Sequence, residues 1–348
     1  MPIFSIILMT VFFPLNSFLF LQNEFLHDGK VQNETLADQK SLAGGMVAGA
    51  ETEKKVEILK AQAVDDPSYW PVRKDGVKDL VVPEAHASVV VDADTGTILH
   101  YENGRDHRQI ASLTKLMTAI LVMEKIPNLD EEVTIDEESV YADGTKVGCL
   151  VSGNCTSKRL EIGEKISVRN LLHAMLMNSA NDSAIALGKH IGGTQEGFVK
   201  IMNSKARELG LADTNFCTAS GLDLDDENAA AGCYSSAYDI ARIGAYSLRY
   251  NTIWEIARTP SDLTITSADG KIKHTIINTD KYLDQKKLTF PLIGTKTGYT
   301  PMAGYSLLTI MTDPASKHRI VAVVLDDPKR WQDIRDMASW TFNSYVWQ

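Results

Sequence analysis

The chain has 348 residues, of which 44% are hydrophobic and 23% charged, with a formal net charge of −10 and a pI near 5.3. That acidic balance argues against a nucleic-acid partner and leaves no basic patch for anionic lipid. The apolar fraction can fill a sizeable core, the length allows one large domain or two, and there are no internal repeats or low-complexity runs.

Residues 1–23 carry no Asp, Glu, Lys or Arg, and 3–21, with Pro14 and Asn16 inside, are long enough to span the hydrocarbon of a bilayer. The segment reads as an uncleaved membrane anchor or, alternatively, a secretory signal. Either would place the remainder outside the cytoplasm. Residues 24–83 are polar, with breakers at Asp65-Asp66-Pro67 and Trp70-Pro71. They read as a flexible tether of about 60 residues, spanning on the order of 40 Å.

The folded domain is expected from 84 to 348. A strand at 88–92, a turn at Asp94-Thr95-Gly96 and a strand at 97–101 give a hairpin signal. Ala111-Ser112-Leu113-Thr114-Lys115 then opens a helix that is apolar on nearly every side and therefore buried all round. A connecting stretch, 127–163, leads to helices at 168–177, 182–191, 198–209 and 238–249. After Pro260 the period changes to two, and 263–266, 272–276, 290–297, 306–312 and 320–325 read as consecutive sheet strands. An amphipathic helix, 330–345, closes the chain. This order predicts an α+β architecture, with an antiparallel sheet completed by both ends of the chain, flanking helices and an inserted all-helical lobe.

Four cysteines, Cys149, Cys155, Cys217 and Cys233, fit an oxidising compartment. Three pairings are possible. Nearest neighbours would join Cys149 to Cys155 and Cys217 to Cys233; free thiols are the other reading. No Cys-x-x-Cys or His-x-x-x-His spacing points to a metal, no cofactor is expected, and His107 reads as a surface residue.

Three polar clusters carry chemistry. Ser112 and Lys115 lie one helical turn apart at a helix start. A serine hydroxyl needs a neighbour to take its proton, and a lysine can do so only where burial depresses its pKa. The bland alternative is a capping serine beside a solvated charge. Ser179-Ala180-Asn181 falls in a break between two helices, where it could face a cleft or merely cap the next helix. Lys296-Thr297-Gly298-Tyr299 ends an apolar strand. Its lysine and threonine can hold a carboxylate, and Gly298 would let a substrate backbone lie close, unless the segment is simply a basic turn.

The order Ser-x-x-Lys, Ser-x-Asn, Lys-Thr-Gly, at spacings of 67 and 117 residues, resembles the penicillin-binding protein and serine β-lactamase superfamily. The blocks 111–118, 178–184, Gly221-Leu222-Asp223 with Tyr234-Ser235-Ser236, and 296–305 are most similar to the low-molecular-mass D-alanyl-D-alanine carboxypeptidases, over about residues 85–345. The resemblance implies a transpeptidase-like fold and an enzyme that removes the terminal D-alanine from peptidoglycan stem pentapeptides and is acylated by β-lactams. It implies Ser112 as nucleophile, Lys115 as base, Ser179 as proton relay and Asn181 as holder of the substrate amide. Lys296 and Thr297 would bind the terminal carboxylate region, and the N–H groups of Ser112 and Tyr299 would form an oxyanion hole.

Arg330 looks like the arginine that opens the last helix in that family, although Asp326-Asp327 stands where some members carry Gly-Gly-Arg. The second β-rich domain and C-terminal anchor of many relatives have no counterpart before Gln348, and the N-terminal segment is expected to take over attachment. The rival functions are a D,D-endopeptidase of peptidoglycan crosslinks, a β-lactamase with Glu227 as the residue positioning water, and a non-catalytic penicillin sensor.

Overall fold

A computed structural model describes residues 69–150, 152–224, 232–260, 262–283 and 288–348. The expected anchor, most of the tether and Glu227 lie outside them. Five strands form one antiparallel sheet in the order β3 (Ile98–Glu102), β2 (Ala87–Asp92), β10 (Arg319–Leu325), β9 (Gly304–Thr312), β8 (Leu292–Thr300). It is thus built from both ends of the domain, as the sequence predicts.

Between the two groups of strands come α1 (Lys115–Lys125), β4 (Glu132–Thr134), α2 (Glu137–Val140), β5 (Lys165–Ser167), α3 (Val168–Met177), α4 (Asn181–Gly192), α5 (Gln195–Glu208), α6 (Ala237–Ser247) and α7 (Asn251–Ala257). Side chains of Ser167, Thr194 and Ser236 accept the N–H groups of Asn170, Gly197 and Asp239, fixing where α3, α5 and α6 begin.

β10 shows why the sheet needs helices on both faces. Val321, Val323 and Leu325 join the core of the helical lobe, whereas Ile320, Ala322 and Val324 join a second core with Ile334, Met337 and Ala338 of α8 (Arg330–Ser344). A strand covered on both sides reads as a continuous apolar run. Each Val, Ile, Leu or Met side chain so buried contributes about 1.5–3 kcal/mol.

The strands after Pro260 are not all consecutive members of this sheet. β6 (Leu263–Thr266) and β7 (Lys273–Ile276) pair only with each other, as a hairpin beside the helical lobe. Period-two patterning reports a half-buried ribbon and says nothing of its partner. The ordered fold also begins earlier than the tether reading placed it: β1 (Pro71–Arg73) pairs with β11 (Tyr345–Trp347), and Val82 is buried. Both disulfides join nearest neighbours, Cys149–Cys155 and Cys217–Cys233.

The β6–β7 hairpin is tied down by a buried pair. His274 Nε2 lies 2.8 Å from Glu164 Oε1, and its Nδ1 lies 2.7 Å from the Lys158 carbonyl. Burial opposes a charge on His274, but the bonds to Glu164 and Lys158 raise its pKa above the usual 6.5. A raised folded-state pKa means that the stabilisation is complete below the unfolded value and is lost as pH rises through the folded one. Replacing His274 by alanine leaves the buried Glu164 with only the Glu161 N–H, 3.1 Å from Oε2, and no charge partner, and is expected to cost about 3–5 kcal/mol in denaturant unfolding at pH 6. The difference from wild type should narrow at higher pH; a uniform deficit would mean that lost packing, not the pair, is responsible.

Candidate active site

The nucleophile turn is a short 3-10 segment, Ala111–Thr114, that runs directly into α1. Ala111 holds a left-handed φ of 46°, a strained conformation costing on the order of 1–3 kcal/mol for a non-glycine residue. The turn is held by two glycines. A Cβ on Gly221 would lie 1.9 Å from the Ala111 carbonyl oxygen, and one on Gly298 would lie 2.9 Å from that of Ile110. Gly298, expected to admit a substrate backbone, therefore admits the nucleophile turn against β8.

Lys115 is fully buried rather than a solvated charge. Its Nζ lies 2.7 Å from each of three oxygens: Ser112 Oγ, Asn181 Oδ1 and the Ser220 carbonyl. Burial pushes its pKa well below 10.5, the Lys296 charge adds to the fall, and Asp182 opposes it. A neutral amine has two N–H bonds and one lone pair. Two of its neighbours, the Asn181 and Ser220 oxygens, can only accept, so the lone pair is left for the Ser112 hydroxyl proton. That is the arrangement of a general base poised on its nucleophile.

Ser179 and Asn181 occupy the break between α3 and α4. Ser179 has a φ of 59°, the reversal that lets one helix end and the next begin within three residues. Its Oγ accepts from Lys296 Nζ at 2.9 Å. Asn181 opens α4, and its Nδ2 donates to the Asp143 carbonyl at 2.8 Å, which fixes Oδ1 towards Lys115. Lys296 is buried on β8 and also donates to the Thr297 carbonyl at 3.0 Å. Burial, with Arg330 adding, brings its pKa down to about 7. Thr297 Oγ1 lies 3.3 Å from Thr279 Oγ1, and the exposed ring of Tyr299 stacks on Tyr305 with centroids 4.5 Å apart.

Arg330 opens α8, as its position in the sequence implies. Its Nη1 donates to the carbonyls of Gly298 and Ser306 at 2.7 and 3.0 Å, and the guanidinium lies 5.0 Å from the Tyr305 ring centroid. The guanidinium thus adds positive charge beside β8 while Nη1 is engaged with the sheet. Among the described residues, no group of three or more His, Cys, Asp or Glu is placed to hold a metal.

Two contributors were not legible as site residues in the sequence. Ser220 acts through a backbone carbonyl, which leaves no trace in residue type. Asp143 likewise contributes its carbonyl; only the glycine that follows it hints that the chain turns closely past Asn181.

Hydroxyl, amines and amide from three distant stretches thus come together where α1, the α3–α4 break and β8 meet, in the arrangement of a serine–lysine centre. The D-alanyl-D-alanine carboxypeptidase family model matches residues 77–329, and the chain belongs to that family. It is 32% identical over 271 residues to the D-alanyl-D-alanine carboxypeptidase DacF of Bacillus subtilis, covering 75% of this chain and 63% of that protein.

Among solved structures, a penicillin-binding protein homologue from Mycobacterium tuberculosis superposes with a TM-score of 0.66 at 26% identity, covering 78% of this chain and 96% of that one. The ampicillin-bound penicillin-binding protein D2 of Listeria monocytogenes gives 0.61 at 30% identity, covering 76% and 100%. The chain spans somewhat under two thirds of the length of the B. subtilis relative.

Proposed function

We propose that the protein is a serine-type D-Ala-D-Ala carboxypeptidase that removes the terminal D-alanine from peptidoglycan stem pentapeptides. The observation that carries this reading is the 2.7 Å approach of a fully buried amine to Ser112 Oγ, with the second buried amine 2.9 Å from Ser179 Oγ. The substrate peptide lies extended along β8, an edge strand of the main sheet, where main-chain groups can pair with it. Its terminal carboxylate meets the Thr297 hydroxyl in the positive field of Lys296 and Arg330.

Lys115 takes the Ser112 proton as Oγ attacks the penultimate carbonyl. The N–H groups of Ser112 and Tyr299 receive the developing oxyanion, each donor worth about 3 kcal/mol. As the peptide bond breaks, the proton held by Lys115 is delivered through Ser179 to the leaving D-alanine nitrogen, which leaves Lys115 neutral again, while Asn181 holds the substrate amide. Lys115 then takes a proton from the water that attacks the ester and returns it to Ser112 Oγ as the free stem peptide leaves. A β-lactam follows the same path to a penicilloyl ester on Ser112. Two disulfides support a site outside the cytoplasm, with residues 3–21 as membrane attachment.

The test is release of D-alanine from diacetyl-Lys-D-Ala-D-Ala, with labelled penicillin followed in parallel. D-alanine release with a slowly lost penicillin adduct, both absent in Ser112→Ala, is the expected result. Fast penicillin turnover without D-alanine would make the protein a β-lactamase. Cleavage confined to a crosslinked dimer would make it an endopeptidase, and an adduct with no peptide cleavage a sensor.

A further inference from the structure

Asp182 has no part in the steps above, yet it follows Asn181 directly and is buried in the first turn of α4. Its carboxylate accepts the Val147 N–H, 3.0 Å from Oδ2 and 3.2 Å from Oδ1, and the Ser183 N–H at 2.8 Å. Val147 belongs to a strap, 143–149, that crosses the α3–α4 break. The strap's carbonyls hold that break in turn: Asp143 accepts from Asn181 Nδ2 at 2.8 Å, Thr145 from Asn181 N at 2.7 Å, and Lys146 and Cys149 from Asn178 Nδ2 at 2.9 and 3.1 Å. Those four bonds run from the break to the strap, and the bond from Val147 to Asp182 runs back, locking the two together.

We propose that Asp182 is a positioning residue for acylation: its carboxylate clamps the strap so that Asn181 meets Lys115, and its negative charge acts on that buried amine. The proposal rests on the roles assigned above to Ser112 and Lys115. The charged groups around the carboxylate come from several elements: Lys115 on α1, Lys146 on the strap, Arg159 on the following loop, and His274, paired with Glu164, on β7. Lys296 on β8 faces Lys115 and works in the opposite sense to Asp182.

Burial raises the Asp182 pKa to about 6, against the pull of its N–H partners and of Lys146 and Arg159. Above that pH the carboxylate favours the protonated amine. Its removal should therefore let Lys115 act as a base at lower pH, because the acid limb of acylation follows loss of the Lys115 proton.

The experiment measures the rate of Ser112 acylation by labelled penicillin from pH 5 to 9 in wild type, Asp182→Asn and Asp182→Ala, with Ser112→Ala as blank and thermal melts alongside. Asparagine with its oxygen at the Oδ1 position can still accept the Ser183 N–H and the longer Val147 bond, while it removes the charge and replaces the Oδ2 acceptor by an amide nitrogen. Asp182→Asn should fold, keep its plateau rate within about threefold, and move the acid limb down by roughly one pH unit, the scale of one nearby buried charge. Asp182→Ala should lose at least tenfold in plateau rate. An Asp182→Asn protein that does not fold, or whose acid limb stays in place, overturns the proposal, as does an Asp182→Ala protein with wild-type kinetics. Absence of acylation in the wild type would instead remove the Ser112 reading beneath it.

Discussion

Lys115→Ala is expected to lower the rate of Ser112 acylation by about 10²–10⁴, the usual contribution of a positioned general base, while leaving the protein folded. Two features set the size of this effect. The amine has three oxygen partners at 2.7 Å, so its removal withdraws the proton acceptor and also leaves Asn181 Oδ1 and the Ser220 carbonyl without it. A neighbouring base is not available to substitute, because Lys296 is engaged with Ser179 and the Thr297 carbonyl. Lys115→Arg should fare little better: guanidinium stays protonated at any working pH and offers no lone pair. The loss should appear in the acylation rate constant, measured by stopped-flow or quenched labelling. Acylation by Lys115→Ala within threefold of wild type would move the base elsewhere.

The second large effect comes from a residue with no side chain. Gly221 sits at a φ of +77°, and a Cβ there would lie 1.9 Å from the Ala111 carbonyl oxygen and 2.6 Å from Thr114 Oγ1. Neither neighbour is the far end of a flexible side chain. Gly221→Ala must therefore shift the turn that carries Ser112, and an overpacking cost of about 1–3 kcal/mol in stability is expected. Displacing the nucleophile by even about 1 Å can cost on the order of 10²-fold in rate.

Gly193 separates the two terms: its φ is +74°, but a Cβ there would meet nothing within 4 Å. Gly193→Ala should show only the cost of a side-chain residue in a sparsely populated backbone conformation, about 1–3 kcal/mol, and unchanged acylation. If both variants acylate at the wild-type rate, Gly221 does not hold the turn.

These expectations show which parts of the site could be read from residue types. Ser112, Lys115, Ser179, Asn181 and Lys296 announce themselves because the chemistry needs their functional groups, and their convergence follows once both chain ends complete one sheet. The Ser220 carbonyl was invisible because a backbone acceptor is the same in every residue. Gly298 was legible as a close approach but not as to what approaches; the third dimension assigns it to Ile110 and Leu113.

In the fold, strands that bury both faces were plain from their apolar runs. The pairing of β6 with β7 apart from the main sheet was not, since alternation has no partner written into it. β1 and β11, three residues each, are too short for any period to show, and their pairing joins segments more than 270 residues apart. Asp182 carries no such mark, since an acidic residue in the first turn is common to many helices.

The most direct measurement is intact and peptide mass spectrometry of the protein after exposure to benzylpenicillin. A single added penicillin mass, localised to the peptide bearing Ser112 and absent from Ser112→Ala, is what the serine–lysine centre predicts. An adduct on another residue, or an unmodified wild-type protein that is folded by thermal melt, would contradict it.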